Sequence, residues 1–261
     1  MQDLSCVGQC SLTVALPVLS AMGIETCVLP TAILSNHTMF KKWSCLDLTD
    51  ETRNIMNVWR ENGFKFDAFY LGYLGSAELM DVARDCFKEF SADGAKVIID
   101  PAFGDNGVLY PAFDQAYVNA MKSLIKSADI ILPNLTEACF LSGVPYEQNA
   151  DLQFTEKVIK KLATITDATI VLTGAEKDGE IGEVIYSDGK FSCVWAEKLP
   201  KRFHGTGDIF AAAFTAKYLE SGSLERACEV AGGLVAESIK ATDPSHPYGV
   251  NFEYALKNSD R

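Results

Sequence analysis

The 261-residue chain contains no Gly-x-x-x-x-Gly-Lys-Ser/Thr sequence, which excludes a Walker phosphate loop. It has no Cys-x-x-Cys pair and no paired histidines. Its scattered cysteines (Cys6, Cys10, Cys27, Cys45, Cys86, Cys139, Cys193 and Cys228) therefore indicate neither a zinc site nor a disulfide framework, and fit buried apolar positions in a reducing compartment. No apolar run approaches about 20 residues and no basic-then-apolar leader opens the chain, so a soluble, cytoplasmic protein is expected. Basic residues are scarce. Lys and Arg total 23 against 35 Asp and Glu, and the net charge of −12 speaks against nucleic acid or an anionic membrane as the main partner. Repeats, low-complexity tracts and linkers are lacking too. With 48% hydrophobic and 10% aromatic residues, disorder is excluded and one α/β domain over residues 1–261 is expected.

What the chain does have is Gly205-Thr206-Gly207-Asp208 running straight into a stretch of helix formers, Ile209 to Leu219. Two glycines ahead of a helix let backbone N–H groups approach an anion at the positive end of the helix dipole. A carboxylate in such a place repels a resting phosphate but can accept a proton from a hydroxyl about to attack one. Phosphoryl transfer to an alcohol is the implied chemistry. Asp208 as a simple helix N-cap is the plainer alternative. A dinucleotide fingerprint is disfavoured, because Phe210 stands where that pattern needs a small residue. Lys198, Lys201 and Arg202 just upstream are candidate phosphate-facing cations or a solvated basic turn.

In chain order, Asp3-Leu4-Ser5 reads as a turn with no strand before it, so the first strand is expected to be missing or short. Ser11 to Met22 predicts a helix stopped by Gly23 and interrupted by Pro17, and Thr26 to Leu29 a short strand. The 35–43 segment mixes polar and aromatic groups as a loop over a small ring-bearing ligand would, or as an ordinary surface loop. Asp50 is expected to cap a helix to Asn62 stopped by Gly63, and Ser76 to cap the next helix. Apolar runs ending at Leu71, Asp100, Asn134 and Thr173 alternate with helices at 114–126, 136–142 and 154–165. This pattern predicts a mostly parallel sheet with ligands beyond its strand ends. Asp100, Asn134, Glu137 and Thr173 fall there, and Asp100 and Glu137 are oxygen ligands suited to Mg²⁺. Ser187-Asp188-Gly189-Lys190 predicts a hairpin, Leu224 to Lys240 a last helix, and the tail from Asp243 a surface-packed extension.

With these residues placed, the chain resembles the ribokinase-like superfamily, and within it the pyridoxal/pyridoxamine (vitamin B6) kinase family, over essentially its whole length. The resemblance rests on Asp3-Leu4-Ser5, Ser35-Asn36-His37-Thr38 with Trp43, Gly72-Tyr73-Leu74-Gly75-Ser76, Asp100-Pro101, Asn134-Leu135-Thr136-Glu137 and Gly205-Thr206-Gly207-Asp208, which are specific in their joint order and spacing. It implies a three-layer α/β/α fold, phosphorylation of the 5′-hydroxymethyl group of a B6 vitamer using ATP and Mg²⁺, and a homodimer. It further implies Asp208 as general base, with backbone N–H groups of Gly205, Thr206 and Gly207 on the transferring phosphoryl group. Ser5, Thr38, Met39 and Tyr73 would hold the ring beneath a 37–43 lid. Asp100 and Glu137 would serve metal and phosphates, and Asn134, Thr173 and the 195–199 segment the nucleotide. The family usually has Val and Met where this chain continues Asp100-Pro101 with Ala102 and Phe103, an apolar-for-apolar change. Hydroxymethylpyrimidine kinase ranks second, since that branch more often carries Cys where this chain has Asp208. A sugar kinase ranks third, and a catalytically silent vitamer-binding protein is the alternative from another class.

Overall fold

The computed structural model describes residues 1–201 and 203–258. The chain forms two compact units. One consists of Met1 and Leu48–Trp195, the other of Gln2–Asp47 and the chain from Ala196 onward.

The second unit begins with β1 (Gln2–Ser5), α1 (Leu12–Ala21), β2 (Pro30–Leu34) and β3 (Cys45–Asp47). β1 runs parallel to β2 with Ser5 opposite Leu34, and β2 runs antiparallel to β3 with Leu34 opposite Cys45. Asp3-Leu4-Ser5 is thus the body of a strand and not a turn. Its polar residues satisfy each other in extended backbone, where residues two apart share a face: Ser5 Oγ donates to Asp3 Oδ2 at 3.2 Å. The strand expected at Thr26 to Leu29 forms instead at Pro30–Leu34, with its proline at the first residue, where a strand tolerates one.

The first unit follows: α2 (Thr49–Asn62), β4 (Phe66–Leu71), α3 (Ala77–Phe90), β5 (Ser91–Ile99), a small hairpin of β6 (Gly104–Asp105) and β7 (Val108–Leu109), and α4 (Gln115–Leu124). After a 3₁₀ turn at Ile125–Ser127 come β8 (Ile130–Ile131), α5 (Leu135–Ser142), α6 (Leu152–Leu162), β9 (Thr169–Lys177), β10 (Glu180–Ser187) and β11 (Lys190–Glu197), whose last residues pass into the second unit. The strands form one sheet in the order β11-β10-β9-β8-β5-β4, parallel from β4 to β9 and antiparallel from β9 to β10. Its central strands are runs of fully buried residues such as Ile98, Ile99, Ile131 and Val171, as a sheet covered on both faces requires. Ser76 and Asp114 cap their helices by accepting from Leu79 N and Tyr117 N. Gly63 ends α2 at φ 70°, but Asp50 does not cap that helix; the cap position is Leu48, and Asp50 lies in the first turn facing the helix dipole. Asp188 and Gly189 both have positive φ, the type I′ turn expected between β10 and β11.

The second unit resumes with α7 (Thr206–Ser221), α8 (Leu224–Ala241) and α9 (Glu253–Asn258). α7 is buried along eight consecutive residues, Ile209 to Ala216, and its small Ala side chains allow close packing by α1 and α8. The tail is more than a surface extension: Val250 and Phe252 are core residues. Among the described residues, no helix is long and apolar enough to cross a membrane.

Candidate active site

The start of α7 is set by backbone crowding. Gly205 takes φ 84° at the N-cap position, and a Cβ there would collide with the Gln9 carbonyl oxygen, so only glycine fits. A Cβ on Gly249 would approach the same oxygen to 3.0 Å. Gln9 N donates to Tyr248 O at 2.6 Å, and Val250 N to His204 O at 3.0 Å. Three segments distant in sequence (8–10, 204–205 and 248–250) therefore fix the loop that opens α7. Because a helix leaves its first N–H groups without intrahelical partners, this end of a 16-residue helix is suited to an anion.

Asp208 is the third residue of α7 and half-buried, so it is not the N-cap. Its carboxylate accepts from the Ser11 backbone N–H. Burial raises its pKa, and the negative charge of Asp3 adds to the rise, reaching about 6 against the opposing Ser11 hydrogen bond. Ser11 itself holds φ 50° and ψ −130°, a costly backbone for a non-glycine residue. Below lies Asp3, 3% exposed, with Oδ2 taking the Ser5 hydroxyl and Oδ1 without a hydrogen-bond partner among the described residues. Burial raises its pKa too, opposed by the Ser11 and Ser5 hydroxyls. Cys10 joins the cluster, its thiol pushed up to about 12 by burial and by the carboxylate of Asp208, so it stays protonated and is no nucleophile. The structure thus brings Ser5, Gly205, Thr206, Gly207 and Asp208 into one neighbourhood and adds Asp3, Cys10 and Ser11. The missing signal for Asp3 was the period-2 face it shares with Ser5, invisible once the segment was read as a turn.

In the 35–43 loop, Thr38 and Met39 are exposed, as is Trp43, while His37 is buried and fastens the loop. His37 N donates to Val7 O at 3.0 Å, and His37 Nδ1 accepts from Met39 N at 3.2 Å. Its ring lies 4.5 Å from that of Phe40. Lys198 is half-buried and Lys201 exposed; Arg202 lies outside the described residues.

The first unit holds the remaining candidates. Asn134 caps α5 in a reciprocal box with Glu137: Glu137 N donates to Asn134 Oδ1 at 3.0 Å, and Asn134 N to Glu137 Oε2 at 2.9 Å. Glu137 Oε1 takes Phe103 N at 3.0 Å, and Asn134 Nδ2 donates to Gly104 O at 2.8 Å. Thr173 bridges to Asn134 across the strand ends. Burial pushes Glu137 up to about 7 despite the backbone N–H groups of Asn134, Phe103 and Gly104. Both of its oxygens are thus engaged. Asp100 lies half-buried directly after β5. Among the described residues no three of His, Cys, Asp and Glu converge as a metal cage. The set fits Mg²⁺ in its usual mode with nucleotides, in which one carboxylate, water and phosphate oxygens share the shell. Tyr73 is half-buried against Phe113, with ring centroids 5.4 Å apart.

The phosphomethylpyrimidine kinase family model matches residues 15–251. A Bacteroides thetaiotaomicron protein assigned by name to the phosphomethylpyrimidine kinases, in a crystal form with pyridoxal, is 35% identical with a TM-score of 0.91, covering 98% of this chain and 93% of that one. Pyridoxal kinase from Lactobacillus plantarum is 34% identical with a TM-score of 0.88, covering 98% and 93%. A Schizosaccharomyces pombe protein assigned to the pyridoxal kinases is 28% identical over 211 residues, which are 75% of this chain and 60% of that one. The shared architecture is a three-layer α/β/α fold with a mostly parallel central sheet.

Proposed function

Because the chain belongs to the phosphomethylpyrimidine kinase family of the ribokinase-like superfamily, close to the pyridoxal and pyridoxine kinases, we propose that it phosphorylates B6 vitamers. It transfers the γ-phosphoryl group of ATP to the 5′-hydroxymethyl group of pyridoxal, pyridoxine or pyridoxamine, a step of vitamin B6 salvage yielding pyridoxal 5′-phosphate from pyridoxal. The observation that carries this reading is Asp208, a carboxylate raised to about 6 in the first turn of α7 behind a glycine-shaped loop.

In this reading Asp208 takes the proton of the attacking hydroxyl, and a pKa near 6 leaves it mostly ionised at pH 7 while still basic enough to hold that proton. The N–H groups of Gly205, Thr206 and Gly207 stabilise charge on the transferring group at no cost in reorganisation. Ser5, Thr38, Met39 and Tyr73 hold the ring. Asn134 and Thr173 serve the nucleotide, with Glu137 bracing Asn134 and the Phe103-Gly104 backbone. Mg²⁺, when bound with ATP, neutralises phosphate charge; Asp100 would hold it, with Glu137 acting through water. We take residues 1–261 as one kinase domain, cytoplasmic and homodimeric. The dimer is expected from the family resemblance, and light scattering at micromolar concentration should return twice the chain mass; a monomer would sink it.

The test is ADP release with Mg²⁺ and ATP on pyridoxal, pyridoxine, pyridoxamine and hydroxymethylpyrimidine. Turnover on the B6 vitamers should fall by about 10²-fold or more in Asp208→Asn. If that variant retains turnover within about tenfold, roughly 1.4 kcal/mol of barrier, the base is elsewhere. The family match favours one second reading, phosphorylation of hydroxymethylpyrimidine, and preferential turnover of that substrate would establish it. Vitamer binding without any ADP release would instead mark a silent binding protein.

A further inference from the structure

Asp3 is a buried carboxylate for which no cation partner is found among the described residues. Among the described residues Oδ1 has no hydrogen-bond partner, and Oδ2 has the Ser5 hydroxyl at 3.2 Å. An ionisable group buried this way is costly, because burial penalises its charged form. Its surroundings are not random core. The Ser11 hydroxyl faces the same carboxyl, and Ser11 is the residue that holds φ 50° while its N–H serves Asp208. Observed strain of this kind persists only where neighbours over-determine it. Here the neighbours are Asp3, on the side chain, and α1, whose Val14 and Ala15 N–H groups grip the Ser11 carbonyl at 3.1 and 2.9 Å.

We propose that Asp3 is a positioning residue for phosphoryl transfer: through Ser5 and Ser11 it holds the turn that seats the Asp208 carboxylate, and its negative charge acts on that base. The proposal rests on Asp208 being the base. Among the described residues, the titratable groups that interact with Asp208 are Asp3 from β1 and Cys10 from the turn before α1. α1 presents no charged side chain to it, and α8 packs through Ala227, Cys228, Ala231, Leu234 and Ser238. The negative charge of Asp3 disfavours the ionised form of Asp208. Removing the charge of Asp3 should therefore make Asp208 more acidic. Removing its side chain should release the strained turn.

The experiment is the pH profile of kcat/KM for the vitamer in wild type, Asp3→Asn, Asp3→Ala and Asp208→Asn, each first shown to be folded by circular dichroism. In wild type the acid limb is expected near pH 6. Asp3→Asn should move that limb down by about half a unit or more. Asp3→Ala should in addition lower kcat about tenfold with the KM for ATP unchanged. A role in packing alone would lower stability and leave the limb in place, and that result in a folded Asp3→Asn protein overturns the proposal. An inactive Asp208→Asn alongside an unshifted limb defeats the positioning role alone. An active Asp208→Asn defeats the assignment of the base, and the proposal with it. Should Asp3→Ala not fold, Asp3→Asn, which keeps the shape and one acceptor, decides the matter by the same limb.

Discussion

A carboxylate whose pKa the fold raises weakens the folded state wherever it is ionised, and the half-buried Asp208 is such a group. Its folded pKa of about 6 exceeds the ordinary 3.8, so the folded protein binds this proton more tightly than the unfolded chain does. The penalty is therefore absent below about pH 4, grows as pH rises through the interval, and is complete above the folded value. Asp208→Asn should accordingly be more stable than wild type at pH 7.5, by about 1–3 kcal/mol, and should lose that advantage at pH 4. Urea melts at both values check it, and a variant less stable than wild type at pH 7.5 would contradict the burial cost. Asp208 was legible in the sequence because glycines and helix formers surround it locally. Asp3 and Cys10 were not legible as its neighbours, since 205 and 198 positions of chain separate them from it.

At the scale of elements, helix ends were the readable part. Ser76, Asp114 and the Asn134–Glu137 box satisfy orphan N–H groups within four residues, and Gly63 needs only its own backbone freedom. Short strands were not readable in this way. β1 and β2 exist because they pair with each other, and local composition alone placed a turn at the first and shifted the second by four residues. The loop before α7 offers a test by contrast. Gly205→Ala meets both a left-handed backbone, worth about 1–2 kcal/mol, and the Gln9 carbonyl oxygen. It should destabilise the protein by at least that much and lower kcat. Gly207 has ordinary φ and open space where a Cβ would go, so Gly207→Ala should stabilise the helix by up to about 1 kcal/mol. Denaturant midpoints for the pair read the difference, and equal midpoints would remove the steric account of Gly205.

At the scale of the whole molecule, the alternation of strands and helices made the α/β class readable, while the division of the chain did not show. One unit is assembled from two stretches, Gln2–Asp47 and the chain from Ala196 on, with the other inserted between them. If residues 1–261 act as one kinase domain, calorimetric and fluorescence melts should coincide in a single transition. Two separated transitions would instead mark independently folding units. The loop at Gly205 adds a consequence for biogenesis. It takes its shape from Gln9 on one side and Tyr248-Gly249-Val250 on the other. A ribosome that has delivered α7 has not yet delivered the residues that fix the loop at its start, so that loop stays unfinished in the nascent chain until Tyr248-Gly249-Val250 have emerged.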